Sequence, residues 1–253
     1  MIATVRPARH RASLPIARVL TACHVVAALA LAPARATGAE GLGELLDAVA
    51  RNARFETPAR ADVRIQCGPG CTASGRPAVF LGRGDLLYVE VKDGQRALVG
   101  PGRILVAKDR KAVEAPVGEP FAGTDLLLED LAVFARGSLK LPQVSDDGPA
   151  GVVITSAPGG PSAYALLVHT IDRERHVIVR TLYYRDLINN LSKTRRNGAF
   201  VTAGGGPRPG EITAETMRQA TTTTLALGWR DAPDAPAGLF EPAGLEKPSG
   251  LLP

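Results

Sequence analysis

The sequence is poor in the residues that usually carry catalysis or hold a metal. Its 253 residues contain three cysteines and four histidines, and aromatic side chains account for 4% of the chain. Beyond residue 36 one cysteine pair and two histidines, His169 and His176, remain. A metal site there would need a carboxylate from Asp172 or Glu174 in the charged turn between them, and no GxSxG elbow surrounds a serine. The sequence therefore predicts a binding protein and not an enzyme, with no metal and no cofactor.

The chain also lacks a basic excess once its first residues are set aside. The formal net charge is +5 and the isoelectric point is about 9.4. Five of the 30 basic residues and none of the 25 acidic residues lie within residues 1–36, so the rest of the chain carries equal numbers of each. Nucleic-acid-binding domains carry a basic patch on the folded surface. We therefore expect no nucleic-acid partner.

The apolar run at residues 19–32 is shorter than the roughly 20 residues that a membrane-spanning helix needs. An arginine-containing stretch without acids precedes it, and the small-x-small sequence ARA follows at 34–36. This order predicts that residues 1–36 are a cleaved signal peptide, and the Ala, Arg, Gly and Pro bias typical of bacterial chains makes the periplasm the destination. Cys23, in the sequence LTAC, leaves a lipid-anchored form as the less favoured alternative, because Arg18 interrupts the preceding segment.

Cys67 and Cys71 lie in the sequence CGPGC. An even pair in an oxidising compartment favours a disulfide, and a Gly-Pro-Gly spacer turns tightly enough to bring the two Cα atoms into bonding range. A redox-active or metal-binding pair is the weaker alternative, because the spacing is not CxxC and no second ligand pair is present. We predict a structural disulfide between the two residues.

Most of the remaining sequence alternates apolar and polar residues with the period of a half-buried strand. The clearest case is residues 60–67, where Ala61, Val63 and Ile65 alternate with charged and polar neighbours. The other predicted strands are 77–83, 85–92, 95–99, 103–108, 151–155, 162–171, 176–185, 187–197, 215–220 and 221–230. One amphipathic helix is predicted at 40–54. Because strands and helices do not alternate regularly, the fold class is mainly β (α+β) with one antiparallel sheet, in a single domain at 37–246 before a disordered tail at 247–253.

Residues 121–134, FAGTDLLLEDLAVF, interrupt the strands. Leu127, Leu131 and Phe134 recur at the spacing of one helical face, and the turn residues at 123–125 supply a helix start. The spacing predicts a second amphipathic helix whose acids, Glu129 and Asp130, face solvent near its amino-terminal half.

GTDLLLED at 123–130 resembles the Gly-Thr-Asp-x-x-x-Glu-Asp signature of the LolA-like family, in its outer membrane lipoprotein-sorting protein branch. The strand RADVRI at 60–65, Tyr164, Tyr183 and the terminal LFEPAGLE at 239–246 support the resemblance. It implies a sheet curled into an unclosed half-barrel, with helices covering the open side. It further implies a monomeric periplasmic carrier that holds lipoprotein acyl chains or another lipid in a hydrophobic cavity for delivery to the outer membrane.

Under this interpretation an inner-membrane transporter or an outer-membrane acceptor is a partner, and the 121–134 helix is a lid. The cavity and lid residues that we predict are Val63, Ile65, Leu87, Val89, Val91, Leu127, Leu131, Phe134, Val177, Val179, Leu225, Leu227 and Trp229. Two alternatives stay open. The same side chains could form a closed core, and the protein could be a non-catalytic docking subunit of an envelope transport complex.

Overall fold

The computed structural model describes residues 39–68, 71–186 and 190–252. The predicted signal peptide at 1–36, including Cys23, lies outside these residues, as does the start of the predicted strand at 187–197. Within the described residues no helix is both long and apolar enough to cross a membrane.

The described chain consists of one α-helix, fifteen strands and several single 3₁₀ turns. The helix, α1 (Ala39–Ala53), confirms the prediction at 40–54. The strands are β1 (Phe55–Cys67), β2 (Pro77–Gly84), β3 (Leu86–Val91), β4 (Arg96–Gly100), β5 (Arg103–Lys108), β6 (Lys111–Glu114), β7 (Leu139–Gly148), β8 (Gly151–Pro158), β9 (Leu166–Asp172), β10 (Val177–Tyr184), β11 (Leu191–Gly198), β12 (Val201–Ala203), β13 (Gly206–Arg208), β14 (Glu211–Thr216) and β15 (Thr221–Asp231).

Thirteen of the strands form one antiparallel sheet in the order β6-β5-β4-β3-β2-β1-β15-β14-β11-β10-β9-β8-β7. Its centre is the long pairing of β1 with β15, which joins the two ends of the domain. The outer strands β6 and β7 do not pair with each other within the described residues, so the sheet stays unclosed. This confirms the predicted fold class of one unclosed antiparallel half-barrel.

The alternation in β1 shows why the sheet has one apolar inner face. Ala59, Ala61, Val63 and Ile65 are buried, and the charged residues between them point outward. Each such side chain removes apolar surface from water, at about 25 cal/mol per Å². The inner faces of β1–β4, β14 and β15 form the main core. On the outer face, β2–β5 are covered by the carboxyl-terminal 3₁₀ turns through Leu239, Phe240 and Leu245, which the sequence analysis assigned only as a motif.

Residues 115–138, which we call the crossing segment, run from edge strand β6 to edge strand β7 and fill the inner face between them. The predicted helix at 121–134 is wrong. Ala122 and Gly123 have φ angles of +49° and +72°, which a right-handed helix excludes, and Pro120 forms an isolated β-bridge with Leu127. A single 3₁₀ turn, Leu128–Leu131, remains of it.

The strand predictions missed short or polar strands. β6, β7 and the β12–β13 hairpin carry little apolar alternation, and a bulged, polar edge strand gives no period-two signal. Two residues of the predicted tail at 247–253 make hydrogen bonds to the sheet. The Ser249 backbone amide donates to the buried Glu90 carboxylate, and Arg60 donates to the Leu251 carbonyl.

Cys67 and Cys71 form the predicted disulfide, with Cα atoms 5.9 Å apart. It links Cys67, the last residue of β1, to Cys71.

Candidate functional site

A cavity of about 230 Å³ lies between α1, the crossing segment and the inner face of the sheet. The predicted residues that line it are Leu87, Leu131, Phe134, Val177, Leu227 and Trp229. Trp229 donates from Nε1 to the Pro209 carbonyl at 3.0 Å and lies 5.6 Å from the ring of Phe55. The lid and sheet residues in this group therefore meet around one space.

The other predicted lining residues lie elsewhere. Five of them are buried in the core beneath the crossing segment and do not line the cavity: Val63, Ile65, Val89, Val91 and Leu225. Leu127 is half-buried at the bridge to Pro120. Val179 falls at a register shift between Ile178 and Arg180, and its neighbour Ile178 lines the cavity in its place.

The cavity wall also contains residues that are not among the predicted cavity and lid residues. The apolar ones include Phe55, Phe80, Val133, Phe200 and Ile212, and the polar ones include His169, Thr181, Arg195 and Arg208. Strand alternation could have indicated Ile212. The polar residues could not be found from periodicity, because they interrupt the apolar face that the pattern describes.

Asp125, the aspartate of the GTD triplet, fastens the crossing segment to the centre of the sheet. Its carboxylate accepts hydrogen bonds from the hydroxyls of Thr216, Thr221 and Thr223, at 2.9, 2.5 and 2.8 Å. Its backbone amide donates to the Thr223 hydroxyl at 3.1 Å. These threonines end β14 and begin β15, so one carboxylate ties two strands to the segment.

Asp130 is buried, which corrects the predicted solvent-facing position. Its carboxylate forms an ion pair with Lys193 of β11 and accepts from the Tyr164 hydroxyl at 3.0 Å and from the Leu127 amide at 2.6 Å. The Lys193 ammonium also donates to the Asp125 carbonyl at 3.1 Å. It lies 5.2 and 5.0 Å from the ring centres of Tyr164 and Tyr183, within cation–π distance.

Glu129 is also partly buried, and its predicted position at the solvent-facing side is likewise wrong. Its carboxylate accepts from the Ser162 hydroxyl at 2.5 Å and from the Ala163 amide at 3.1 Å. Burial raises the pKa of this carboxyl above its ordinary value, against the lowering effect of the two hydrogen bonds. The three acids of GTD…ED therefore bind three different parts of the sheet and its loops, and together they hold the crossing segment over the cavity.

Arg208 of β13 holds the other wall in place. Its guanidinium donates to the carbonyls of Asn52, Ala53 and Arg54 at 2.6–2.9 Å, where α1 ends, and lies 3.9 Å from the ring centre of Phe55. The last carbonyls of a helix have no partner within it and favour a cation. Burial lowers the pKa of Arg208 to about 10.

A second space, a groove of about 500 Å³, lies along the outer flank of α1. Its lining includes the charged residues Glu44, Asp47, Arg51 and Arg173. An apolar ligand there would remove water from these charged groups at a large cost, whereas charged residues of the inner wall such as Asp130 and Arg208 are already buried against partners. The inner cavity is therefore the better candidate for apolar ligands, although the groove has the larger volume.

The described residues contain no group of three or more His, Cys, Asp or Glu side chains that could hold a metal ion. His169 and His176 both line the inner cavity, but Asp172 binds the amides of its own turn, at Glu174 and Arg175. The turn carboxylate therefore does not complete a histidine site.

Comparisons with solved structures find similar folds, and three of them match over most of both chains. A domain assigned to the outer membrane lipoprotein-sorting proteins of Vibrio parahaemolyticus has a TM-score of 0.62 at 15% identity, over 81% of this chain and 97% of that one. A DUF1329 family protein of Desulfovibrio piger has a TM-score of 0.63 at 13% identity, over 80% and 98%. A LolA superfamily protein of Nitrosomonas europaea has a TM-score of 0.62 at 15% identity, over 78% and 96%.

A scan against protein-family models and a search of curated proteins give no match. At identities of 13–15%, the structural likeness shows the fold. The chain has the LolA-like fold that the GTD…ED resemblance implies.

Proposed function

We propose that this protein is a periplasmic carrier that holds the acyl chains of a lipoprotein or another lipid in the inner cavity and delivers them to the outer membrane. The observation that carries the proposal is the cavity itself, a mostly apolar and partly open space bounded by the sheet, α1 and a segment fastened across it. The names of two similar folds, a lipoprotein-sorting protein and a LolA superfamily protein, agree with it. The role is binding and transfer, without catalysis.

The physical requirement for such a carrier is a dry apolar surface. Each buried CH₂ group contributes about 0.8 kcal/mol, so an acyl chain needs contact area more than specific polar groups. The side chains of Leu131, Phe134, Leu227 and Trp229 supply such a surface.

The volume of the cavity is small for a long acyl chain. Sites for drug-sized ligands have volumes of about 300–1,000 Å³, and this cavity has about 230 Å³. We infer that the crossing segment moves away from the sheet when a long acyl chain binds. Between its two ends that segment is attached mainly through side-chain hydrogen bonds and the Asp130–Lys193 ion pair, so it can move without breaking a strand pairing of the main sheet.

The test begins with protein purified from periplasmic extract, followed by organic extraction and mass spectrometry of the bound lipid. In parallel, the delipidated protein is titrated with a fluorescent fatty acid. Ala132→Phe fills part of the cavity, because Ala132 lines it. Val117→Phe is the matched control, because Val117 is 59% exposed on the same segment.

We expect co-purifying lipid and saturable fatty-acid binding, which Ala132→Phe weakens at least about tenfold and Val117→Phe leaves unchanged. Circular dichroism establishes that both variants are folded. No extractable lipid together with no fatty-acid binding would overturn the carrier proposal and leave the docking-subunit alternative. If Ala132→Phe does not change fatty-acid binding, the fatty acid binds at another surface and not in this cavity.

A further inference from the structure

Three polar residues form a row across the sheet at the cavity. The register pairs Thr181 of β10 with His169 of β9 on one side and with Arg195 of β11 on the other. All three line the cavity. Since neighbouring strands lie about 4.8 Å apart, the His169 and Arg195 backbones flank Thr181 at about 10 Å from each other. Their side chains can therefore approach one small group between them.

His169 has an unused hydrogen-bonding atom. The side chain is 7% exposed, its Nδ1 lies 3.0 Å from the Thr181 hydroxyl, and its Nε2 has no partner within the described residues. A buried polar atom without a partner costs about 1–3 kcal/mol. The ring of Phe134 packs against the imidazole edge-on, with ring centres 6.2 Å apart. Because Phe134 belongs to the crossing segment, a movement of that segment removes this ring contact from the imidazole.

Arg195 brings a positive charge that no acidic side chain neutralises. Its Nε donates to the Asn197 side-chain oxygen at 2.9 Å, and its Nη1 donates to the backbone carbonyl of Asp130. Both acceptors are neutral, and within the described chain no ion pair joins Arg195 to a carboxylate. The nearby Asp130 carboxylate is already paired with Lys193. Arginine offers five donors in a geometry that suits an oxyanion, so donors remain for a ligand.

We propose that the cavity binds an amphiphile with an anionic head group, a carboxylate or a phosphate monoester, held between the Arg195 guanidinium and the His169 imidazole. The apolar chain then lies along Leu131, Leu227 and Trp229, and Phe134 leaves the imidazole to admit the head group. In the proposed complex the Thr181 hydroxyl donates to Nδ1, so that the His169 proton lies on Nε2 and serves as the second donor to the anion. This inference rests on the proposed carrier function and specifies its ligand as a single-chain anionic lipid.

Trp229 provides the measurement, because it is the one tryptophan of the sequence and lines the cavity. Its fluorescence is followed during titration with decanoate, with decanol as an uncharged ligand of equal chain length, with decyl phosphate and with inorganic phosphate. Arg195→Gln removes the proposed head-group contact. Arg196→Gln is the matched control, since it removes the same charge one residue further along β11, where the side chain is exposed. His169→Gln tests the second donor.

We expect decanoate or decyl phosphate to bind about 10- to 100-fold more tightly than decanol, the range for hydrogen bonds to charged groups. Arg195→Gln abolishes this preference without changing decanol binding, His169→Gln reduces it, and Arg196→Gln preserves it. The anionic ligand that binds more tightly identifies the head group. Tight binding of inorganic phosphate without binding of the chain-bearing ligands would overturn the proposal that the ligand is an amphiphile.

The wild-type protein alone decides the proposal if a variant fails to fold. Equal affinities for decanoate, decyl phosphate and decanol would overturn the head-group site while the carrier function stands. Absence of binding by all the chain-bearing ligands would overturn both.

Discussion

The Asp130 carboxylate and the Lys193 ammonium form a buried ion pair that joins the crossing segment to β11. The two side chains are 0% and 5% exposed, and they lie 63 residues apart in the sequence. Tyr164 and the Leu127 amide complete the carboxylate's hydrogen bonds. The pair is therefore fully satisfied, and it couples the cover of the cavity to the wall opposite.

Breaking this pair from one side should destabilise the protein strongly. Lys193→Met leaves a buried carboxylate without its cation, at a cost of about 3–5 kcal/mol in the free energy of unfolding. Asp130→Asn should cost a comparable amount. The double variant should cost clearly less than the two singles together, because neither charge is then left unpaired.

The free energies of unfolding of the wild type, the two single variants and the double variant, measured in urea, give the coupling energy between Asp130 and Lys193. Arg230→Met is the control, because Arg230 pairs with Asp62 at the surface, with the two side chains 52% and 55% exposed. Exposed pairs contribute about 0–1 kcal/mol. Strict additivity of the two buried substitutions would contradict the coupling.

The hydrogen bonds between Asp125 and the threonines predict that substitutions at two adjacent residues of β15 have different effects on stability. Thr223 is fully buried and exchanges hydrogen bonds with the carboxylate and the amide of Asp125, whereas Thr222 is exposed. Thr223→Val should lower the free energy of unfolding by about 1–3 kcal/mol, because it leaves buried polar groups unpaired. Thr222→Val should change it by less than about 0.5 kcal/mol. Equal effects in chemical denaturation would show that Asp125 does not anchor the segment.

The disulfide between Cys67 and Cys71 should contribute modestly to stability. It closes a short loop, with a sequence separation of 4, and chain-entropy arguments give about 2 kcal/mol for a loop of this size. The double variant Cys67→Ser/Cys71→Ser should stay folded and lose about that amount in urea unfolding. Alkylation before and after reduction, followed by intact mass, checks the bond itself. Two thiols reactive before reduction would refute it.

The sheet could be predicted from the sequence because the alternation of apolar and polar residues that marks each strand lies within the strand itself. In β1 the alternation of Ala61, Val63 and Ile65 with charged residues assigns both the strand and its inner face. The same pattern placed Leu227 and Trp229 on one face of β15, and both line the cavity. Period-two burial repeats within a few residues, so it can be detected without knowing which strands pair.

The crossing segment could not be predicted in this way. The spacing of Leu127, Leu131 and Phe134 fits a helix, but the backbone reverses at Ala122 and Gly123. The conformation is held by partners distant in sequence, such as Lys193 for Asp130. Long-range pairing overrides local propensity here. The polar row at His169 and Arg195 was missed for a related reason, because only the register of β9, β10 and β11 brings the two residues together.

His169 predicts an acid sensitivity of the folded state. Burial, with a smaller effect of the Arg195 charge, lowers the pKa of His169 from its ordinary 6.5 to about 4. In the unfolded chain His169 is therefore protonated near pH 6.5, whereas in the folded protein it is protonated only near pH 4. The stabilising effect of the neutral imidazole is complete above pH 6.5, and it is lost as the pH falls through this window, at about 1.4 kcal/mol per pKa unit.

The measurement is urea unfolding of the wild type and of His169→Gln between pH 7 and pH 4.5. The variant should lose the part of the pH slope that belongs to one proton, so the two curves converge as the pH falls. The difference between the two curves removes the pH-dependent contributions to stability that both proteins share. One of these comes from Glu129, whose raised pKa makes the folded state more stable as the pH falls. A His169→Gln curve parallel to that of the wild type would mean that the folded protein admits the proton, and that the imidazole is not held neutral beneath Phe134.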